Sequence, residues 1–201
     1  LKDDPGLPPA QRAKFTGIAL DKARRLEELL GEFFDISRMD LDSGPEEHSP
    51  IQLSMLLEQL ADEFYPLFAE KELQCAVEIE HHLMVLGDPD KLARVFDNVL
   101  RNAVSYSIPG GQVYIQAQKA DGQAQVTIRN EGLEIPEGEL ANIFRKFYRL
   151  DAARSSRTGG AGLGLAIAKE IVERHGGGIC AESNGRLTSF TITLPLYEEE
   201  I

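Results

Sequence analysis

A glycine-rich run from Gly159 to Leu165 lies where a basic loop leads into an amphipathic helix. Glycine permits positive φ and lets backbone N–H groups approach a ligand, and the N-terminus of the following helix presents unpaired amides and a positive dipole. The helix is predicted by an apolar stripe and by the stop signal His175-Gly176-Gly177. The stripe comprises Leu163, Ala166, Ile167, Ile171 and Val172. The run therefore predicts either a site for a phosphate-like anion or a flexible turn that only caps a helix.

Two common phosphate-binding motifs do not fit this run. A dinucleotide-binding turn requires glycine at the position of Leu165 and a strand leading directly into the turn. A P-loop requires the triplet Gly-Lys-Ser/Thr, which the sequence does not contain. Five basic residues nevertheless precede the glycines, which favours phosphate contact, and a bound nucleotide would need another element to hold its metal ion. These residues are Arg145, Lys146, Arg149, Arg154 and Arg157.

Composition excludes several classes of protein. The net charge of −12 over 201 residues argues against a nucleic-acid-binding surface, because no overall positive field exists to displace counterions from a phosphate backbone. Cys75 and Cys180 each lie in a short apolar stretch, so both are predicted to be small buried side chains in a reducing compartment. No apolar stretch approaches the roughly 20 residues of a membrane-spanning helix, so we expect a soluble fragment. Its first residues do not resemble a translation start, and we expect it to be part of a larger protein.

The N-terminal part is predicted to be one long helix from about Gln11 to Leu41, with a narrow apolar seam near a 3-4 repeat. A single helix cannot bury such a seam, so it needs a partner. The seam runs through Phe15, Ile18, Lys22, Leu26, Leu29, Phe33, Ile36 and Asp40. Residues 43–50 are predicted to form a linker because they combine Pro, Gly and acidic side chains, and residues 198–201 a frayed tail.

Residues 51–197 are predicted to form one α+β domain with a mixed sheet. Helices are expected at 51–71 and 89–107, the second with Asp88 as its N-cap and Pro89 at its first position. Strands are expected at 74–80, 83–87, 112–118, 124–129, 178–183 and 188–194.

The helix predicted at 89–107 carries two asparagines one turn apart, Asn98 and Asn102, beside its apolar face. Asparagine is roughly 0.5 kcal/mol worse than alanine inside a helix, so two on one edge indicate compensation by a ligand. A carboxamide oxygen suits Mg²⁺, which prefers hard oxygen donors together with phosphate oxygens. The alternative is that both asparagines are simply solvated at the helix margin. This is plausible for either residue alone but less so for two residues at this spacing.

Two further segments fit a nucleotide site. The turn from Asn130 to Pro136 directly follows a predicted strand, and a polar residue at a strand end before a glycine can read the edge of a base. The segment from Phe144 to Arg149 opens the polar stretch that runs into the glycines, and its aromatic residues would anchor the base of a lid.

In this order and spacing, the four segments resemble the N, G1, F and G2 boxes of sensor histidine kinases. The matching patterns are Asn98-x-x-x-Asn102-Ala103, residues 130–136, Phe144-x-x-Phe147-Tyr148-Arg149 and Gly160-x-Gly162-Leu163-Gly164-Leu165. The resemblance covers nearly the whole chain, and residues 147–177 are most similar to the vancomycin-resistance sensor kinases. It implies a two-layer α/β sandwich of the Bergerat ATP-binding type, with helices on one face of a mixed sheet. The implied activity is transfer of the ATP γ-phosphoryl group to a histidine, for relay to a response regulator.

The resemblance implies ATP and Mg²⁺ as ligands and assigns a role to each matching position. Asn102 would bind Mg²⁺ with support from Asn98, and these two count as catalytic together with Arg149, which would approach the γ-phosphate. Tyr106 would contact adenine, and Asn130 would face its amino group. The lid hinge and phosphate contacts would come from Gly160, Gly162 and Gly164. The remaining nucleotide-binding positions would be Gly132, Ile135, Phe147, Leu163 and Leu165.

The resemblance also implies partners for this chain. Residues 1–42 would be the second helix of a dimerisation and phosphotransfer hairpin. The phospho-acceptor histidine would lie on the first helix, because no histidine of this chain has the acidic and Leu/Ile-Lys-Thr-Pro-like residues that follow the acceptor in the family. The four histidines are His48, His81, His82 and His175. The intact protein would be a membrane-anchored homodimer with this part in the cytoplasm.

The sequence departs from the family pattern at three positions. Asn130 replaces the usual aspartate of the G1 box, and Glu134 replaces its second glycine. Ser105 stands before Tyr106, where a lysine or arginine is common. A neutral acceptor is weaker than an ionised one, so we expect looser ATP binding. Phosphate neutralisation would depend more heavily on Arg149, with Arg154 and Arg157 as further candidates.

Two other functions remain open from the sequence. An ATP-hydrolysing clamp of the same fold would need a glutamate general base near Asn98, and an amide cannot accept that proton. A degenerate nucleotide domain that serves for docking or dimerisation through residues 11–41 is the second alternative, suggested by the altered G1 box.

Overall fold

A computed structural model describes residues 8–41, 48–150 and 162–197 of the chain. The chain divides into two units, Leu1–Ser43 and Gly44–Ile201. The first unit contains the helix α1, Pro9–Leu41, where the apolar repeat predicts one. Large apolar side chains of its seam are exposed, among them Phe15 at 45% and Leu26 at 58%. The need of this seam for a partner helix stays a prediction.

The second unit holds three helices and seven strands among its described residues, with two short 3-10 helices at Glu137–Glu139 and Asn142–Phe144. Its helices are α2 Leu53–Glu70, α3 Pro89–Tyr106 and α4 Gly164–Arg174. Its strands are β1 Ser49–Gln52, β2 Gln74–Ile79, β3 Met84–Gly87, β4 Gln112–Ala120, β5 Gln123–Glu131, β6 Gly178–Asn184 and β7 Leu187–Pro195.

Five strands form a mixed sheet in the order β2-β4-β5-β7-β6, in which only β2 and β4 run parallel. Alternate residues of β4, β5 and β7 are buried, so one face of the sheet carries the core and the other is polar. Helices α2, α3 and α4 contact the sheet. Ile115, Ile128 and Phe190, from three neighbouring strands, are each no more than 1% exposed. The predicted α+β class with a mixed sheet and helices on one face is confirmed.

The strand β1 was not predicted, and helix α2 begins at Leu53, two residues later than predicted. Residues 49–52 form β1, which pairs antiparallel with β3 and places Ile51 opposite Val85. Ser49 and Pro50 were predicted as linker, and Ile51 and Gln52 as helix. Because the partner strand lies over thirty residues further along the chain, the local pattern cannot indicate this pairing. The proline is tolerated because β1 lies at the edge of a two-stranded sheet.

The predicted burial of the two cysteines is also wrong, since both are exposed. Cys75 lies on β2 and Cys180 on β6, and these are the two edge strands of the sheet. An edge strand has a neighbour on one side only, so apolar residues on it gain less cover than the same residues on β5. Partial desolvation by neighbouring atoms still raises the pKa of the Cys75 thiol to about 11.

Candidate functional site

Helix α3 positions three of the predicted site residues along one margin. The Asp88 side chain caps the helix by accepting hydrogen bonds from the N–H groups of Asp90 and Lys91, at 3.0 and 3.1 Å. The predicted apolar face is buried, which leaves Asn98 and Asn102 half-buried and Tyr106 44% exposed at the helix end. At 1.5 Å per residue, successive members of this polar row are about 6 Å apart along the axis.

Helix α4 lies against α3, and its first residue approaches Asn98. A Cβ atom on Gly164 would lie 3.0 Å from Asn98 Oδ1, so glycine allows this close contact. At the other end of α4, the buried His175 donates from Nδ1 to the Ile171 carbonyl at 2.8 Å and accepts at Nε2 from the Asp88 N–H at 3.2 Å. These contacts hold α4 along α3 and bring its unpaired N-terminal amides beside Asn98.

Two buried amide atoms on this surface have no hydrogen-bond partner. They are Nδ2 of Asn98, a donor, and Oδ1 of Asn130, an acceptor. Asn130 is only 2% exposed, at the end of strand β5. An unpaired buried polar atom costs about 1–3 kcal/mol, so a pair of opposite polarity indicates a ligand with an acceptor at one end and a donor at the other.

The turn after β5 is held in contact with the C-terminal end of α3. A Cβ atom on Gly132 would clash with the Tyr106 carbonyl oxygen, so only glycine lets the turn approach this closely. The Gly132 N–H donates to the Arg186 carbonyl at 2.7 Å, and the Ile135 N–H donates to Ser183 Oγ at 2.9 Å. The turn therefore places Asn130 next to Tyr106, as a base-binding wall requires.

The F-box segment and the glycine run meet at the border of the predicted lid. Gly162 has a φ of +76°, and a Cβ atom there would lie 2.7 Å from the Tyr148 carbonyl oxygen. The Phe147 N–H donates to the Gly162 carbonyl at 2.9 Å. Phe147 itself has a φ of +65° and is 68% exposed. Gly160, Arg154 and Arg157 lie outside the described residues, so their predicted roles stay predictions.

Tyr148 is fixed by a carboxylate that the sequence analysis did not identify. Its hydroxyl donates to Glu139 Oε2, which also accepts from Asn142 Nδ2 at 2.9 Å. These hydrogen bonds, that of Tyr148 first, lower the pKa of Glu139, and the bond to Glu139 raises the pKa of Tyr148. The cluster ties the segment before Arg149 to the two 3-10 helices.

Lys71 supplies a cation at the C-terminal end of α3, next to the position where the family pattern has one. Its Nζ donates to the carbonyl oxygens of Val104 and Ser105, at 2.6 and 3.1 Å. Desolvation by burial lowers the pKa of this lysine. No sequence signal connects Lys71 with Ser105, because the two residues are separated by β2, β3 and most of α3.

A cavity of about 510 Å³ lies away from these residues, between Phe144, Lys146 and the outward side of α4. Its charged lining includes the ion pairs of Glu170 with Lys146 and with Arg174, at 3.8 and 3.0 Å. Among the residues that the structure describes, no predicted nucleotide-binding residue lines it, so we place the functional site at the α3 margin on chemical grounds.

The structure thus brings most of the predicted site residues together along α3, the turn after β5 and the lid border. Within the described ranges, no three His, Cys, Asp or Glu side chains form a metal-binding group. The assignment of a metal ion to Asn102 stays a prediction. No described helix has both the length and the apolar character needed to span a membrane.

Comparison with known proteins gives a consistent relationship. Residues 87–198 match the family described as histidine kinase-, DNA gyrase B-, and HSP90-like ATPase. The chain is 49% identical over 195 residues to the sensor protein VanS of Enterococcus faecium, a match that covers 97% of this chain and 50% of that protein. The chain therefore spans about half the length of this relative.

Two solved structures extend the comparison to the fold. Full-length ShkA in complex with AMPPNP superposes with a TM-score of 0.80 at 25% identity, covering 97% of this chain and 41% of that chain. Histidine kinase ThkA in complex with the response regulator protein TrrA gives a TM-score of 0.75 at 23% identity, covering 97% and 53%. At that identity, the second likeness supports the fold alone.

Proposed function

This chain belongs to the histidine kinase-, DNA gyrase B-, and HSP90-like ATPase family as a histidine kinase catalytic, ATP-binding domain, and on that premise we propose that the intact protein transfers the ATP γ-phosphoryl group to a histidine of its own hairpin. The observation that carries the proposal is the pair of unsatisfied buried amide atoms on Asn98 and Asn130. Their opposite polarity fits a nucleotide, whose phosphates accept hydrogen bonds and whose adenine amino group donates one.

The order of groups along α3 supports one orientation of the nucleotide. Adenine would lie at Tyr106 and the turn after β5, where Asn130 Oδ1 accepts from the amino group. The phosphates would lie near Asn98, where its Nδ2 and the N-terminal amides of α4 donate. Glycine at 162 and 164 lets the lid border and the start of α4 pack closely, because any Cβ atom there would contact Tyr148 or Asn98.

Asn102 lies between these two ends and would hold Mg²⁺ through its amide oxygen. The residues present fit such an ion, since a hard oxygen ligand beside phosphates is the environment that Mg²⁺ prefers. A bound magnesium ion would neutralise negative charge on the β- and γ-phosphates. Arg149 follows Tyr148 at the lid border, where the Glu139 contact would hold it in position to approach the γ-phosphate.

Catalysis would then consist of positioning and charge stabilisation, as phosphoryl transfer generally requires. Asn98 and Asn102 would orient the phosphate chain from the rigid helix, and Arg149 would stabilise charge that develops on the transferred group. The lid border would exclude water from the γ-phosphate, so that a histidine nitrogen attacks in preference to hydroxide. Neither asparagine can act as the general base of a clamp ATPase.

The unsatisfied atoms also count against a degenerate docking domain. A site that no longer bound nucleotide would be free to fill with side chains that pair Asn98 Nδ2 and Asn130 Oδ1, and each pairing would gain about 1 kcal/mol. Both atoms remain buried and unpaired. This favours a retained ligand over a docking role alone.

The similarity to VanS supports a role in vancomycin-resistance-type two-component signalling. The phospho-acceptor would come from the first helix of the hairpin to which residues 1–42 contribute, in a homodimer of the intact protein. The phosphoryl group would pass to a cognate response regulator. We place this part of the protein on the cytoplasmic side of a membrane-anchored sensor.

A transfer assay tests this proposal. The 201-residue chain is mixed with a separate hairpin that carries the acceptor histidine and with Mg-ATP labelled at the γ-phosphate. We expect labelling of the hairpin, and a loss of roughly 100-fold for Asn102→Ala. The control is Asn184→Ala, which removes the same amide at an exposed position at the end of β6. Equal labelling by Asn102→Ala and Asn184→Ala would refute the metal assignment, and no labelling by the unmodified chain would refute the kinase proposal.

A further inference from the structure

We propose that the nucleotide site accepts guanine as well as adenine triphosphates, because the Asn130 amide and the Thr188 and Ser183 hydroxyls beside it can each donate or accept a hydrogen bond. The inference rests on the proposed nucleotide site and adds a second substrate, GTP, as a phosphoryl donor. It depends on Asn130, Thr188 and Ser183.

Asn130 is the first of these groups. It is 2% exposed, and its Oδ1 has no hydrogen-bond partner. In the orientation shown, Oδ1 can accept from the 6-amino group of adenine. Rotation of the amide by 180° would present Nδ2 instead, which can donate to the 6-oxo group of guanine. A carboxylate at this position could only accept.

The surroundings of Asn130 leave this rotation open. Its Nδ2 lies 3.0 Å from the point where a Cβ atom on Gly132 would stand, so the missing side chain of Gly132 keeps space beside the amide. No hydrogen bond locks Oδ1 in its present direction. The energy that selects one orientation must therefore come from the base.

Thr188 and Ser183 form the second reversible element. Thr188 lies directly opposite Asn130 in the β5–β7 register and is 4% exposed. Its Oγ1 is 3.0 Å from Ser183 Oγ, and either hydroxyl can be the donor. When Ser183 donates, the Thr188 hydroxyl is released to donate to N1 of adenine. When Thr188 donates, its remaining lone pair can accept from the N1–H of guanine.

The two carboxylates of the turn after β5 do not act as fixed hydrogen-bond acceptors for the base. Glu131 Oε2 accepts from the Gln112 N–H at 3.0 Å, which directs it toward β4. Glu134 is exposed to solvent. Base selection at Asn130 therefore depends on neutral groups, whose hydrogen bonds are weaker and less selective than those of an ionised acceptor.

Affinity measurements on the full chain test this inference. Isothermal titration calorimetry with the β,γ-imido analogues of ATP and GTP, each with Mg²⁺, gives the ratio of the two dissociation constants. We expect the unmodified chain to bind the two analogues within about tenfold of each other, since both bases find a complementary amide orientation.

Asn130→Asp should raise the preference for the ATP analogue by about 10- to 100-fold, because a carboxylate attracts the adenine amino group and repels the guanine oxygen. The matched control is Gln125→Glu, which makes the same change from amide to carboxylate on the same strand. Gln125 lies five residues away on the opposite face, about 17 Å along β5. Its ratio should equal that of the unmodified chain.

The outcomes separate this inference from the proposed function. Binding of the ATP analogue with GTP-analogue affinity more than 100-fold weaker in the unmodified chain would overturn the inference and leave the kinase proposal intact. An unchanged ratio in a folded Asn130→Asp variant would also overturn it. Failure of both analogues to bind would overturn the proposed nucleotide site and this inference together.

Discussion

The two walls of the nucleotide site are built in different ways. The wall formed by α3 and β5 consists of regular elements with a capped helix start, a buried apolar face and strands on both sides of Asn130. The lid border depends on local contacts, namely the Phe147–Gly162 backbone hydrogen bond and the Tyr148–Glu139 contact. Both Phe147 and Gly162 adopt positive φ, which for phenylalanine costs about 1–2 kcal/mol.

This difference suggests that one wall binds the nucleotide and the other moves. A wall made of core elements can move only if the domain loosens, so the base and the metal ion would meet a preformed surface. A border held by a few surface contacts and a strained aromatic residue can rearrange at small cost, as a lid must when nucleotide enters or product leaves. Substitutions in the first region should therefore affect global stability, and those in the second should affect turnover.

The largest effect is expected from Gly132→Ala in the rigid wall. The new methyl group would collide with the Tyr106 carbonyl oxygen, and neither backbone segment can move without disturbing α3. We expect a loss of about 2 kcal/mol in unfolding free energy, a fall in melting temperature of roughly 4–8 °C, and weaker nucleotide binding. Thermal unfolding followed by circular dichroism measures this. The control Gly138→Ala, where a Cβ atom meets open space, should unfold like the unmodified chain.

Gly162→Ala tests the lid border and should show the opposite pattern. The alanine would be strained at positive φ and would press on the Tyr148 carbonyl at 2.7 Å. We expect about a tenfold loss in the rate of hairpin labelling, with little change in the melting temperature of the core. Gly110→Ala is the control, because Gly110 has a φ of +72° with open space around it and so introduces the strain alone. A labelling loss as large in Gly110→Ala would contradict a specific role for the lid border.

Tyr148→Phe removes the hydroxyl that binds Glu139 and keeps the ring. We expect about a threefold loss in labelling rate, since one hydrogen bond at a partly exposed position orders the segment before Arg149. The loss should fall on the turnover number, with nucleotide affinity nearly unchanged, because the proposed base and metal ligands lie on the other wall. Glu139→Gln retains an acceptor for the Tyr148 hydroxyl and should lose less of the labelling rate than Tyr148→Phe. A drop in nucleotide affinity without a drop in turnover would contradict the assignment of Tyr148 to the lid border.

The smallest effect is spectroscopic and follows from the pKa of Tyr148. Because the contact with Glu139 raises the pKa of the hydroxyl, its contribution to stability is complete below the ordinary tyrosine range and is lost as the pH rises through the higher folded value. The lowered pKa of Glu139 acts in the opposite direction. Its contribution to stability is complete above the ordinary carboxyl range and is lost as the pH falls through the lower folded pKa.

Absorbance titration of the tyrosines measures this. Tyr148 of the folded chain should ionise above the ordinary tyrosine range, and Glu139→Gln should shift that ionisation toward it. Tyr148→Phe should remove it altogether. A titration of the unmodified chain that is the same as that of Glu139→Gln would show that the two side chains do not interact in solution.

Local patterns were sufficient for most of the fold. The periodicity of α3 and α4, the Asp88 cap and the glycine stop after His175 all describe neighbours within a few residues, and the structure agrees with each. The failures concern partners distant in sequence. Strand β1 exists because β3 pairs with it, and Cys75 and Cys180 are exposed because the sheet order places their strands at its edges.

The site shows the same limit. The predictions for Asn98, Asn102, Asn130 and the glycines came from spacing that follows a family pattern, and their roles stay predictions. Lys71, Glu139 and Ser183 were not predicted, because each acts on a residue brought to it by packing. A lysine that binds the end of α3 gives no signal at its own position in the sequence.

The sequence by itself therefore determined the family and the helices, and it predicted which residues would meet a nucleotide, since these depend on local spacing and on the chemistry of individual side chains. Only the tertiary structure decided which amide atoms stay unpaired, which glycines are in close contact and which residue lies opposite Asn130 on the neighbouring strand. The physical reason is that the cost of an unpaired or crowded atom depends on what surrounds it. Those surroundings come from strands and helices far apart in the chain.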